Sequence, residues 1–288
     1  MFRIAVLLTC HNRRVITLEC LESLHRQKFT YNISIEVFLV DDKSTDGTRE
    51  AVKQKFPYVN VIEGNGNLYW CGGMRLAWNV AMKQDFDFYL WLNDDTILSA
   101  NALVTLWDSV NFVEKNTGKC NGIIVGSTFN AETGTRTYGG CIQAKKKSLD
   151  FMPVVPSGSL EPCDTFNGNC VLVSREAFRE LGNMSPEFTH AMGDTDYGLR
   201  AKEKNIPMWV APKYIGKCRG NPTPLWLDNA LSLRGRIRNL NNPKGLPPKE
   251  WMSFCRRHTG WRWLGNLIKV YMRVLAPNAW DRLREIFK

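Results

Sequence analysis

The sequence predicts an α/β protein, a mostly parallel central sheet flanked by helices and followed by a basic helical appendage. Three observations carry that expectation. Short apolar runs alternate with amphipathic stretches over the first hundred residues, the connections between them are short, and positive charge collects toward the carboxyl end.

Residues 4–9 read as a buried strand, and 15–27 as a helix with Ile16, Cys20, Leu21 and Leu24 on one face. Strands at 35–40, 59–62 and 86–92 follow, each trailed by a helix, at 47–56, 73–83 and 101–113. Such alternation implies right-handed crossovers and a parallel sheet covered on both faces. Beyond residue 121 the pattern loosens: strands at 123–127, 135–141 and 170–173, short helices at 175–181 and 194–204, a last strand at 207–210, then mainly helix. The pattern divides the chain into an α/β unit of residues 1–218, regular over 1–97 and looser over 98–218, and a basic helical region at 219–288.

A chain of 288 residues can bury a large core, and a composition 44% hydrophobic and 23% charged excludes a disordered chain. Nine cysteines with no CxxC pair suit reduced, buried thiols of a cytosolic protein better than a disulfide framework or a zinc site. The apolar run at 4–10 is too short for a signal peptide or a membrane span, and no later run is long enough to cross. The expectation is a cytoplasmic protein. From Lys213 onward the charge is +12 against +10 for the whole chain, so the body is near neutral and the tail strongly basic.

Ligands of open α/β sheets bind beyond the carboxyl ends of the strands. The loops there read Thr9-Cys10-His11-Asn12-Arg13, Asp41-Asp42-Lys43-Ser44-Thr45-Asp46-Gly47, a glycine-rich stretch at 64–73, and Asn93-Asp94-Asp95. Each alone is explained by helix caps and turns. Together they gather Asp41, Asp42, Asp94 and Asp95 at one sheet edge, where mutual repulsion calls for a cation or ligand. The glycine stretch breaks the GxGxxG pattern at Tyr69 and no GxxxxGK[ST] exists, which excludes P-loop nucleotide hydrolysis.

These patterns, with Gly193-Asp194-Thr195-Asp196-Tyr197-Gly198-Leu199-Arg200, resemble those of family 2 glycosyltransferases, which have the GT-A fold and invert the anomeric centre. The likeness runs from about residue 2 to 218, and its flavour is that of bacterial polysaccharide rhamnosyl- and galactofuranosyltransferases. It implies a nucleotide-sugar donor (UDP- or dTDP-linked), a glycan or lipid-linked glycan acceptor, and Mg²⁺ or Mn²⁺. Thr9 and Asp42 would hold base and ribose, with Asn12, Arg13 and Asp41 beside them. Gly72 and Gly73 would let backbone N–H groups approach the donor, and Arg75 would pair with phosphate. Asp94 would lie on the donor side and Asp95 would bind the metal. Asp194 is the implied general base, Asn167 and Gly168 line the acceptor side, and His190 stands near it. Asp196 and Arg200, at i, i+4, read as a helix-surface pair. One departure is Cys218, which stands where many relatives carry a metal-binding histidine, and a thiol is a poor partner for Mg²⁺.

In the tail, Arg234, Arg236, Arg238, Arg256 and Arg257 interleave with Trp226, Trp251, Trp261 and Trp263. That mixture suits an anionic membrane surface, or a helical subdomain packed on the body. No nucleic-acid module is present, so nucleic acid is not an expected partner. The rival readings are a sugar nucleotidyltransferase, which would need a glycine- and arginine-rich first loop, and a catalytically silent relative.

Overall fold

The run FRIAVLLTC forms β1 (Phe2–Cys10), and its parity shows why the run is apolar at successive positions. Ala5 and Leu7 enter the core on one face of the sheet, while Ile4, Val6 and Leu8 enter the core on the other. The computed structural model describes residues 2–28, 32–118, 121–277 and 280. Cys120 and the last eight residues of the basic region fall outside them.

After β1 come α1 (Arg14–His25), β2 (Ile33–Asp41), α2 (Thr48–Lys55), β3 (Asn60–Glu63), α3 (Tyr69–Ala81) and β4 (Phe88–Leu92). β1 is parallel to β2 and β4, and β2 is parallel to β3. The register sets Cys10 against Asp41 and Asp41 against Glu63, so the strands end level and their loops share one edge. The second half supplies β5 (Ile97–Leu98), α4 (Ala102–Thr117), β6 (Ile123–Phe129), β7 (Gly140–Gln143), β8 (Phe151–Pro153), β9 (Glu161–Pro162), β10 (Thr165–Phe166), β11 (Cys170–Ser174), α5 (Arg175–Leu181), α6 (Gly193–Glu203) and β12 (Met208–Lys217). The main sheet runs β3-β2-β1-β4-β11-β6-β12-β5, with β9 on β12, and β10-β7-β8 form a small antiparallel sheet. β11 is antiparallel to both β4 and β6. The outcome is the expected α/β sheet with helices on both faces.

One core lies under α3, α5 and α6 around Trp78, Trp91, Tyr197 and Phe188, and the other under α1, α2 and α4 around Leu21, Val52 and Trp107. The tail forms α7 (Leu233–Asn241), α8 (Pro248–His258) and α9 (Trp263–Leu275). A small third core joins Trp226, Leu240, Val270 and Val274. Phe254 of α8 is 2% exposed and meets Phe188 edge-on, so part of the tail is continuous with the first core.

Several boundaries differ from expectation: the strand expected at 135–141 is β7 at Gly140–Gln143, and the short strands β5, β8, β9 and β10 are additional. β12 runs to Lys217 rather than stopping at 210, and α3 begins at Tyr69 rather than Gly73. The earlier start places Gly72 and Gly73 inside a helix. The Gly72 N–H donates to Leu68 O (3.1 Å), and a Cβ on Gly73 would lie 2.7 Å from Thr9 Cβ. Gly73 permits close approach of α3 to β1, while a Cβ on Gly72 would press on Leu68 Cβ (3.2 Å) at the start of the helix. Helix propensity would favour Gly73→Ala by at most about 1 kcal/mol, and overpacking against the fixed Thr9 Cβ costs about 1–3 kcal/mol. The variant is therefore expected to melt below the wild type in scanning calorimetry, and an equal or higher midpoint would show that the helix can ride outward freely.

Candidate active site

The tips of β1 and β2 are tied into one cradle. Asn12, at φ 51°, accepts the Thr45 N–H at its Oδ1 (2.7 Å), and its own N–H donates to Ser44 Oγ (2.9 Å). His11 Nδ1 meets Asp42 O at 2.7 Å. Asp41, 2% exposed, accepts the Ser44 N–H (3.1 Å). Asp42 Oδ1 accepts from Gly66 N–H (2.7 Å), and its Oδ2 accepts from Leu68 (2.9 Å) and Tyr69 (3.1 Å). A carboxylate at the end of β2 thus folds the glycine-rich stretch around itself. Gly64 is obligatory there, because a Cβ would sit 2.6 Å from Asp42 Oδ1 and 2.8 Å from its Cα. Thr9 lies beneath this cradle, buried against Gly73.

Beyond β4, Arg13 reaches across the edge and its Nη1 contacts Asp94 Oδ1 (2.8 Å) and Asp95 Oδ2 (2.9 Å). One guanidinium therefore offsets the repulsion between adjacent carboxylates. Burial opposes the Arg13 cation, but the Asp94 and Asp95 charges outweigh it and raise its pKa. Burial drives the Asp94 carboxyl up to about 6, with Arg13 opposing and Asp95 adding to the rise. Asp95 is the more open of the two: its side chain is 23% exposed against 7% for Asp94. Its Oδ1 is approached by the Cys218 thiol at 3.5 Å. Burial first, then the Asp95 charge, pushes that thiol up to about 12, and sulfur is a poor partner for a hard cation. The donor chemistry still fits Mg²⁺ or Mn²⁺, which takes one or two carboxylates and completes its shell with phosphate oxygens and water.

Asp194 sits in the first turn of α6. Its Oδ2 accepts the Gly168 N–H (2.9 Å) and its Oδ1 the Thr195 N–H (2.7 Å). Burial raises its pKa against these donors. Gly168 and Asn169 connect the two acidic positions. Asn93 N–H donates to Asn169 O (2.9 Å), and Asn169 Nδ2 meets Cys218 Sγ (3.5 Å), which in turn meets Asp95. Asp95 and Asp194 flank the same short segment. Tyr138 registers both of them: burial first, then Cys218, Asp95 and Asp194, push its phenol up to about 12. Trp70 locks the arrangement, donating from Nε1 to Asn93 Oδ1 (2.7 Å) while its ring abuts Gly168, where a Cβ would lie 2.5 Å away.

Other expected residues take structural posts. Arg75 Nη1 donates to Ser185 O (2.9 Å) and Phe188 O (2.7 Å), so this guanidinium pins the loop before α6 in place of the expected phosphate. His190 lies in that loop, edge-on to Tyr69, and burial with the charges of Lys244 and Arg13 holds it down to about 4, neutral at physiological pH. Asn167 donates its N–H to Gly139 O (3.1 Å).

Asp196 is not a surface residue. Its side chain is fully buried, because it forms the junction between α6 and the tail. Ser185 Oγ (2.7 Å) and Arg200 Nε (3.0 Å) donate to its Oδ2, and Arg257 Nη1 (2.6 Å) and His258 Nε2 (2.9 Å) donate to its Oδ1. Glu250 of α8 adds a bond from the Thr189 N–H (3.1 Å). Nothing in the spacing of Arg257 and His258 announced a partner sixty residues upstream; a buried acid with more charge around it than one i+4 arginine is visible only in three dimensions.

The glycosyl transferase family 2 profile matches residues 5–182. The chain belongs to this family. It is a glycosyltransferase with a GT-A sheet, the fold and family that its motifs implied. Among solved structures, it resembles a mannosyltransferase from Pyrobaculum calidifontis in complex with GDP-Man and Mn²⁺ (15% identity, TM-score 0.55, 95% of this chain and 70% of that one). It also resembles Staphylococcus aureus TarS 1–349 in complex with UDP-GlcNAc (13% identity, TM-score 0.56, 96% and 72%). At such identities the likeness speaks for the fold. No curated protein is similar in sequence.

Burial alone would raise the Asp196 carboxyl, but the bonds from His258 and Ser185 and the charges of Arg200 and Arg257 prevail and hold it at about 2. An unfolded aspartate titrates near ~3.9. The depressed folded value stabilises the native state above that pH, and the contribution fades as pH falls toward about 2. Asp196→Asn is expected to lose about 2–4 kcal/mol at neutral pH, and the gap to wild type in urea unfolding should narrow below pH ~4. A gap independent of pH would show that the charge of Asp196 is not what binds the tail.

Proposed function

We propose that this glycosyltransferase inverts the anomeric centre as it moves one sugar from a UDP- or dTDP-sugar to a hydroxyl of a glycan or lipid-linked glycan, in bacterial surface polysaccharide synthesis of the rhamnosyl- or galactofuranosyl-transferring kind. The observation that carries this reading is the placement of Asp95 and Asp194 on either side of the 167–169 segment, one beside the donor cradle and one at the head of α6. Residues 1–218 form the catalytic unit in this reading, and residues 219–288 the basic helical region. The buried free thiols fit a cytoplasmic location.

Thr9, Asp41 and Asp42 border the space for base and ribose. Asp42 would keep its grip on the 66–69 N–H groups while its remaining lone pairs face a ribose hydroxyl. Asp95, with Asp94 behind it, would hold Mg²⁺ or Mn²⁺ against the diphosphate. Such a cation supplies charge neutralisation for the departing nucleoside diphosphate. Arg13, already between the two carboxylates, offers a second positive group there. Asp194 takes the proton of the acceptor hydroxyl as its oxygen attacks the anomeric carbon. The new C–O bond forms on the face opposite the breaking bond to the diphosphate oxygen, and the proton resides on the Asp194 carboxylate. Burial raises Asp194 and so strengthens it as a base, while the Gly168 and Thr195 N–H groups fix its direction.

Asp194→Asn is expected to keep donor affinity and lose at least ~10²-fold in turnover, read by product formation beside calorimetric titration with the nucleotide sugar. Near-native turnover would remove Asp194 from the base role. Asp95→Ala should abolish the gain in nucleotide affinity that Mn²⁺ gives the wild type and EDTA reverses. An affinity gain that persists in the variant would place the cation on other ligands.

A further inference from the structure

α9 is anchored on one side only. Val270 and Val274 are buried in the third core, and the Trp251 Nε1–H donates to Asn266 O (3.3 Å), fixing its inner side to α8. The outer side carries Leu264, Ile268, Tyr271 and Leu275 at i, i+4, i+7 and i+11, with Met272 beside them and Trp261 one turn before. Trp261 is 85% exposed, and Leu264, Ile268 and Leu275 are each at least half exposed. A stripe of this length on the outside of a helix marks an interaction surface. Arg262 and Lys269 lie exposed along its border, with the Arg262 guanidinium over the Trp261 ring (5.5 Å). From Trp251 to Trp280 the sequence holds no Asp or Glu. No described helix is long and apolar enough to cross a membrane.

We propose that the outer face of α9 seats the protein on an anionic lipid bilayer. Its apolar stripe lies in the headgroup boundary, parallel to the surface, and Arg262 and Lys269 meet lipid phosphates. Charge selects this occupant. A second copy of the chain, paired about a two-fold axis through α9, would set Arg262 and Lys269 against their own kind with no acid on the helix to answer them. A nucleic acid would engage the cations yet leave Leu264, Ile268 and Leu275 in water. A bilayer with anionic headgroups satisfies both halves of the face, and tryptophan at its edge is suited to the interface.

The test is flotation of the full chain with vesicles of phosphatidylcholine alone or with phosphatidylglycerol added. The wild type is expected to float with the anionic vesicles at low salt, and less as salt screens the attraction. Ile268→Asp with Leu275→Asp, at exposed positions that should leave the melting temperature unchanged, is expected to lower the partition coefficient by ~10-fold or more. Lys269→Glu should lower it on anionic vesicles only. Wild-type protein that stays unbound to anionic vesicles overturns the proposal, as does equal flotation of the double variant. A wild-type dimer that the double variant dissolves in light scattering, without flotation, would assign the face to a second copy instead. Donor hydrolysis by the double variant in the absence of lipid should match the wild type, which separates this surface from the catalytic reading.

Discussion

A single carboxylate deprived of all contact with water ties the sheet-bearing body of this molecule to its tail. Asp196 receives donors from its own helix, from the loop before it and from α8. An ion of this kind is tolerable in the interior only when its counter-charges are present together, since removal of any partner leaves charge stranded in a medium that solvates it poorly. Asp194 lies two residues earlier on the same helix. The Gly168 and Thr195 N–H groups direct the proposed base, and the Asp196 network holds the helix turn that carries it.

The same economy recurs at the sheet edge. Carboxylates there do not wait idle for ligand. Asp42 shapes the 64–69 stretch, Asp41 turns the β2 loop, and Asn12 joins that loop to the first. Arg13 quenches the repulsion of Asp94 and Asp95. Each of these groups holds the sheet edge in shape without a ligand, the kind of preorganisation that lowers the reorganisation a reaction needs. Trp70 performs the same service between Asn93 and Gly168, linking the end of β4 to the 167–169 segment through one indole.

The alternating runs of the first hundred residues announced the parallel sheet because period and burial there agree: β1 is apolar at successive positions since both its faces are covered. The acidic clusters were legible for a related reason, as strand ends are where such a sheet presents polar groups. Other features were hidden, the short strands β5, β8, β9 and β10 among them. The helical start at Tyr69 escaped notice because two adjacent glycines resemble a loop, although Gly73 answers a steric demand from Thr9. The duty of Arg75 depends on carbonyls more than a hundred residues away. The surface assignment of Asp196 failed because an i, i+4 pair looks identical whether it faces water or a docked helix. Long-range polar contacts leave no local periodicity to read.

The family profile ends at residue 182, eleven positions before α6 begins, and the main sheet is complete at Lys217. Yet α6 is welded to α8 through Asp196, Arg257 and His258. Any exchange of this region between the chain and a relative would have to transplant the helix and the tail as one cassette, since a crossover between them would leave the incoming acid facing the wrong bases.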